Sequence, residues 1–523
     1  MATVLPWFAL PLLATTCLPL PYLLGRWCDG IARRRRDDDG EAAGSSWRAG
    51  WLLVAAFAVA AGALIAQEPT RPAPDTLTSL RERLDALTAE LRAYEAREPR
   101  PGAAAPAGDF APRLVPFAWG DLRWMPGNYA PADSPLRAGA FTGEVRVDTT
   151  YHWSFANPAD NTIVGSSEVF RHGEFQVTQL GLGGDLYYRG AHARFMTQLG
   201  MYSQTTPRND PTPSRGQWDL DLAYRYVSEA YAGYHFDVLH GINVQAGIFM
   251  SYVGLWSYYN FDNWTYQPSY VSSNTPWFFD GVRVQVFPSD RLKIEPWLVN
   301  GWQSYGEYRD APGGGVQIKW VPDEDVAVVA NQWVGKDTLG QDRLRLHTDD
   351  SVMWRWHHDP KAFCSQAALS LTVDAGCETG DGVSWDEQYF LGLMAYHRLW
   401  FAGDTFALTI GGGAIDNPGR YLVLVPPING ATAATGSPYW SAASGDGFHA
   451  WDAQITFDYM PTPNCTFRLE YNHRHANVPY FAGGGGVTPP GGNTGDPTSA
   501  VPGWAPDLDD DEDRLTFAFM VRF

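Results

Sequence analysis

The chain has 523 residues, of which 14% are aromatic and only 18% charged, and its net charge is −20. That acidity excludes nucleic-acid binding, which needs a basic footprint, and five cysteines are too few for a disulfide scaffold. Many aromatics with few charges fit a chain that meets lipid through every second residue; a large secreted β-protein fits as well.

The first hundred residues divide into unlike pieces. Residues 3–24 (TVLPWFALPLLATTCLPLPYLL) are apolar but interrupted by Pro6, Pro11, Pro19 and Pro21, and RRRRDDDGE follows. Residues 1–50 read as an atypical leader or a wrongly assigned start. WLLVAAFAVAAGALIAQ, preceded by Arg48, has the basic flank, apolar core and small-residue end of a secretory signal over 51–66. The alternative is an amino-terminal membrane anchor. Beyond it no apolar run reaches the roughly 18 residues of a membrane helix. Leu77, Leu80, Leu84, Leu87 and Leu91 alternate spacings of three and four within 76–98, a heptad seam. They predict a short coiled-coil-like helix in the periplasm, either the stalk of a homotrimer or a lone amphipathic helix. Residues 99–136, rich in Pro, Gly and Ala at their start, read as a linker.

From 137 to 523 the period is two. In FTGEVRVDTTY the residues Phe141, Val145, Val147 and Tyr151 alternate with Thr142, Glu144, Arg146 and Asp148, the pattern of a half-buried strand. Turn signals at YYRGAH, FDVLHG, FPSD, VPDED, HHDPK, FAGD and MPTPN alternate with eight longer connections, among them 254–276, 415–446 and 477–513. The expected fold is all-β: a transmembrane antiparallel up-and-down β-barrel of about 16 strands, within a range of 14–18, preceded by the short N-terminal helix. A soluble sandwich would alternate too, but it would not need so many strand-end aromatics. Trp297, Trp302, Trp320, Trp333, Trp354, Trp356, Trp400 and Trp451 suit interfacial girdles. Cys364 and Cys377 are candidates for pairing in an oxidising compartment.

If the apolar set meets lipid, the other set lines the lumen. The candidates are Glu144, Arg146, Asp148, Arg194, Asp221, Arg225, Arg283, Lys293, Glu295, Lys319, Arg343, Arg345, Arg355, Asp452, Asp458, Arg468, Glu470, Arg514 and Arg522. With Arg291, Arg474, Glu174, Asp219, Glu229 and Asp349 added, the inward set counts 14 cations against 11 carboxylates, near enough to balance to predict weak ion selectivity. At about 16 strands the lumen is expected to be too wide for side chains to fill. The connection SYYNFDNWTYQPSYVSSNTPWFF (257–279) is long, aromatic and sparsely charged. Folded inward it would narrow the channel through Tyr258, Asn263, Trp264, Tyr266 and Tyr270; otherwise it is a surface loop. The stretch GGGGVTPPGGNTGDP within 477–513 has little capacity to bury a core. No GxSxG or HExxH motif occurs, and no cofactor, metal or enzymatic activity is expected.

Several segments carry a family resemblance. DNTIVGSSEVFRHGEFQ, GYHFDVLHGINVQAGIFMSYVGLWSYYN, NTPWFFDGVRVQVFPSD, IEPWLVNGWQSYG and YMPTPNCTFRLEYNHRHANVPYFAGGGGVTPPGGNTG resemble the OmpL-like outer-membrane β-barrel porins. The resemblance covers roughly residues 115–523. It implies a barrel in the outer membrane of a Gram-negative-type bacterium, forming a passive pore for small hydrophilic solutes or ions, and it supplies no catalytic residues. The alternative is a non-conducting barrel that binds a surface partner through its long loops. In LTFAFMVRF the outward set is Leu515, Phe517, Phe519, Val521 and Phe523. An aromatic at Phe523 after such a strand resembles the signal that the outer-membrane assembly machinery reads.

Overall fold

The computed structural model describes residues 117–127, 135–166, 168–207, 210, 212, 216–307, 311–337, 342–419, 447–493 and 501–523. The leader, the signal segment, the heptad seam at Leu77–Leu91 and most of the linker lie outside the described residues.

Sixteen long strands form one sheet. They are β1 (Phe141–Ser154), β2 (Phe175–Tyr188), β3 (Ala191–Thr197), β4 (Val227–Phe236), β5 (Ile242–Met250), β6 (Phe278–Ser289), β7 (Leu292–Val299), β8 (Gly313–Asp323), β9 (Val326–Gly335), β10 (Leu344–His358), β11 (Cys364–Thr379), β12 (Tyr389–Phe401), β13 (Phe406–Asn417), β14 (Phe448–Thr462), β15 (Cys465–Ala476) and β16 (Asp511–Arg522). Each pairs antiparallel with its neighbours in the chain, and β16 returns to pair with β1, from Arg514↔Ser154 to Arg522↔Arg146. Closure leaves the sheet no free edge. In hydrocarbon this satisfies every strand amide internally, which only helices and closed barrels achieve.

Alternation decides which face is which. On β16 the outward residues Leu515, Phe517 and Phe519 are 37–42% exposed, whereas Thr516, Ala518 and Met520 between them are buried. Phe523 closes the seam: its N–H donates to Val145 O (2.9 Å), and Val145 N–H donates to Phe523 O (3.0 Å). Short turns join strands at one end and the eight longer connections at the other. In barrels of this kind the short-turn end faces the periplasm.

Three sequence expectations are corrected here. Asp221 and Arg225 are not wall residues of a strand: Asp221 lies in a five-residue helix, Leu220–Tyr224, and Arg225 caps it. The alternating string WDLDLAYRY gives no sign of this, because it belongs to the long 198–226 connection. Trp297, Trp302, Trp333 and Trp400 do not form an outer girdle; all four are at most 9% exposed and pack inside the barrel. Trp297 has the parity of Lys293 and Glu295, so it faces inward with them. Cys364 and Cys377 sit at opposite ends of the same strand, and both thiols are free.

Candidate functional site

The connection between β5 and β6, residues 251–277, folds into the lumen. Its own residues make only two short helices, Asn260–Asp262 and Tyr270–Ser273, so its backbone groups need outside partners. The wall supplies them. Arg468 donates to Asn263 O (2.7 Å) and Asn260 O (3.1 Å), Arg398 to Trp264 O (3.0 Å) and Arg474 to Pro268 O (2.9 Å). Glu470 accepts from the N–H groups of Tyr266 (2.6 Å) and Gln267 (3.0 Å), and Asp452 from Tyr270 (2.8 Å). These wall charges are buried, which is tolerable only because each is hydrogen-bonded or ion-paired. Asp458 takes both a bidentate contact from Arg468 (2.7 and 2.9 Å) and one from Arg398 (2.7 Å).

Close approach requires bare backbone. A Cβ on Gly413 would collide with Ser269 Oγ, one on Gly411 with the Tyr396 ring, and one on Gly315 with the Tyr252 hydroxyl. The Gly-Gly-Gly runs at 313–315 and 411–413 interrupt otherwise regular strands. They are the sequence signal that something packs against those walls.

Along β1–β10 the loop borders a cavity of ≈ 1290 Å³. The lining runs from His235 and Asn243 near the short turns to Glu168 and Trp277 in the long connections. Arg194 stands in it with three carboxylates, Glu144, Asp185 and Glu229, each at 2.9 Å. Arg146 pairs with Glu144 and with Asp262 (2.8 Å) and lies over the Tyr259 ring. Arg283, Lys293 and Lys319 line the same space, with Glu295 beside Lys293 at 2.7 Å.

Other expected lumen residues face inward without reaching this cavity. Asp148 accepts from Asn260 (3.2 Å) and Tyr266 (3.1 Å). Arg343 and Arg345 approach Glu378 (3.7 and 2.8 Å), and Arg355 pairs with Asp325 at a short turn (2.7 Å). Arg514 binds Glu512 (2.8 Å) and Gln267 (3.0 Å), and Arg522 holds Asp262. Of the five loop candidates only Tyr258 lines the cavity; its hydroxyl meets Thr206 (2.7 Å) and Gln198 (2.8 Å). Trp264, Tyr266 and Tyr270 instead turn toward the wall and are buried as anchors, and the buried Asn263 side chain bonds back to Ser257 within the loop (2.9 and 2.8 Å). The lining tyrosines Tyr252 and Tyr259 and the wall residues Tyr396 and Arg398 escaped sequence reading. Arg398 lies within the mostly apolar run YFLGLMAYHRLWF, and its parity with Trp400 was the available signal.

Part of the expected linker is also inside. In Phe117–Gly127 the side chains of Phe117, Leu122, Trp124 and Met125 are at most 8% exposed. Trp119 Nε1–H donates to Asp290 O (2.9 Å) and Trp124 Nε1–H to Glu324 O (2.9 Å), both at short turns. Trp264 Nε1–H donates to Trp124 O (2.7 Å), and Gly127 N–H to Asp262 O (2.9 Å). The segment therefore seats at the periplasmic end against the inserted loop.

At the other end the 477–493 stretch is not a bare surface loop. Tyr480, Phe481 and Val487 are buried, and the first two pack on Tyr270 and Phe448. Asp160 clips it down by accepting from Val487 N–H (2.9 Å) and Thr488 Oγ1 (2.6 Å). Burial pushes the Asp160 carboxyl up, but hydrogen bonds from Thr488, Thr162 and Val487 outweigh this and hold it below the usual carboxylate range. A depressed folded value means that the clip is fully present above the unfolded pKa of about 4. It is lost as pH falls through the lower folded value. Pepsin cleavage within 477–493 should therefore rise in that acid range, and Asp160→Asn should show the same susceptibility without acidification.

Closed antiparallel strands, short turns at one end and a cavity of charged and aromatic side chains behind an inserted loop define the class: a porin-type barrel of the bacterial outer membrane. Within that class the chain belongs to the family described as "Putative beta-barrel porin-2, OmpL-like", whose sequence model matches residues 141–523. Among curated protein sequences none matches. Solved structures with a similar fold include OprB of Pseudomonas putida (10% identity, 73% of this chain and 94% of that chain, TM-score 0.43), the outer-membrane channel DcaP of Acinetobacter baumannii (13%, 73% and 96%, 0.39) and OmpT of Vibrio cholerae (10%, 74% and 99%, 0.41).

Proposed function

We propose that the protein is a porin that lets small hydrophilic solutes or ions diffuse passively across the outer membrane. The observation that carries this is the ≈ 1290 Å³ cavity, whose charged and polar side chains, interleaved with aromatic ones, run from near the short turns to the long connections. Planar-bilayer recording of the purified protein should show ohmic unitary steps; a correctly folded barrel that stays electrically silent would overturn the reading. A second reading, a non-conducting barrel acting through loops 415–446 and 477–513, is favoured by the seating of Phe117–Gly127 at the cavity's periplasmic end. Export through the 51–66 signal, a homotrimeric stalk through Leu77, Leu80, Leu84, Leu87 and Leu91, and recognition of Phe523 by the assembly machinery complete the proposal. Neither catalysis nor a cofactor enters it.

A further inference from the structure

The charges facing the cavity keep the small cationic excess of the inward-facing set. Seven cationic side chains line it against five carboxylates, with Glu144 and Glu295 also bound to lining cations, although the chain as a whole carries −20. Every one of those carboxylates is already engaged. Asp185 and Glu229 share Arg194, Asp262 holds Arg146 and Arg522, Asp121 holds Arg123, and Glu168 accepts from Gln267 (2.6 Å).

Besides the exposed Arg137, two lining cations are not so matched. Lys319 on β8 has no carboxylate partner among the described residues; its Nζ lies 5.4 Å from the centre of the Phe117 ring. Its register partner on β7 is Lys293. Like charges directly opposite on neighbouring strands repel, and the one nearby acid, Glu295, is bound to Lys293 (2.7 Å). Arg283 on β6 gives its Nε–H to Gln245 (2.5 Å) and lies 4.3–5.2 Å from the ring centres of Phe249, Tyr231 and Trp297. The rings hold the guanidinium in place but supply no formal negative charge. Among the described residues its Nη groups have no carboxylate, so they remain available for the fork geometry that fits an oxyanion.

We infer that the cavity holds a subsite for small oxyanions, carboxylates or phosphate, built by Arg283, Lys293 and Lys319, and that the channel passes anions in preference to cations. The inference rests on the reading of the protein as a pore and replaces weak selectivity with a defined sign. A narrow, low-dielectric passage focuses the field of its unpaired charges. The distant ion pairs that balance the wall elsewhere do not cancel that field.

The full chain reconstituted in planar bilayers across a KCl gradient provides the test, with citrate as a probe anion. The expected reversal potential has the sign of chloride preference, and citrate should reduce the current. Lys319→Glu and Arg283→Gln should lower the chloride-over-potassium permeability ratio roughly threefold or more, the effect of about one kT of local potential, and should relieve the citrate block. Lys319→Arg should keep both. Heat-modifiable gel migration checks that each barrel is folded. Ohmic channels with potassium preference, or with an anion preference that both variants leave unchanged, would overturn the subsite. A silent bilayer strikes the pore reading instead. Calorimetry of citrate binding to the detergent-solubilised protein then decides the subsite alone: binding lost in Lys319→Glu supports it, and no binding to the unsubstituted protein rejects it.

Discussion

Arg468→Met should destabilise the barrel by about 3–5 kcal/mol, the usual result of removing one partner from a buried ion pair. Arg468 is 1% exposed and serves two sites at once. It neutralises Asp458 through two contacts, and it caps the carbonyls of Asn260 and Asn263. Methionine fills similar space but leaves both carbonyls without a donor and Asp458 with Arg398 alone. Urea unfolding of the protein in lipid vesicles, followed by tryptophan fluorescence, should show the midpoint falling. Unitary conductance should rise as residues 260–263 lose their hold. Arg468→Lys should recover only part of the loss, because an ammonium cannot reproduce the planar fork. An unchanged midpoint in Arg468→Met would mean that the loop is held by its aromatic packing instead.

Trp124→Ala should release the periplasmic segment. Truncating a buried tryptophan costs about 3–5 kcal/mol, so the ratio of seated to released segment should fall roughly a hundredfold or more. Trp124 is 4% exposed, its indole N–H is bound at a short turn, and its carbonyl accepts from Trp264. Arg123 beside it is half-exposed and pairs with Asp121, so it offers a protease a site once the segment leaves. Trypsin cleavage at Arg123 should accelerate, and conductance should increase while the barrel stays heat-modifiable. Equal cleavage rates in both proteins would show that Trp124 does not anchor the segment.

Much of the barrel was legible from local pattern. The period of two marked the wall, seven turn signals marked one rim, and the connections between them gave sixteen strands with the right partners. Parity also put Arg146, Lys293, Asp452 and Arg514 on the inner face. Parity has a limit, however. It states which face a side chain occupies and nothing about what lies across from it. Arg468 meets Asn263, and Glu470 meets Tyr266, over some two hundred residues of sequence, and no local period encodes such a pairing. The same limit explains the tryptophans: a large aromatic on the inner face is expected only if something apolar is there to receive it, and the inserted loop is what receives Trp400. Asp221 and Arg225 fail for the opposite reason, because an alternation over nine residues, broken only at Ala223, arose by chance within a connection.

The wall holds the inserted loop through its side chains and, between residues 260 and 270, also through its peptide groups. The carbonyls of Asn260, Asn263, Trp264 and Pro268 and the N–H groups of Tyr266, Gln267, Ser269 and Tyr270 meet fixed wall side chains. Every amino acid except proline offers the same peptide groups. Over that stretch the loop's course is less dependent on side-chain identity: a residue such as Trp277, which lines the cavity through ring contacts with Tyr202 and Tyr258, is open to exchange while the peptide path stays put. Such a barrel is a socket for interchangeable filters, in which the solute range can drift, or be redesigned, without touching the wall.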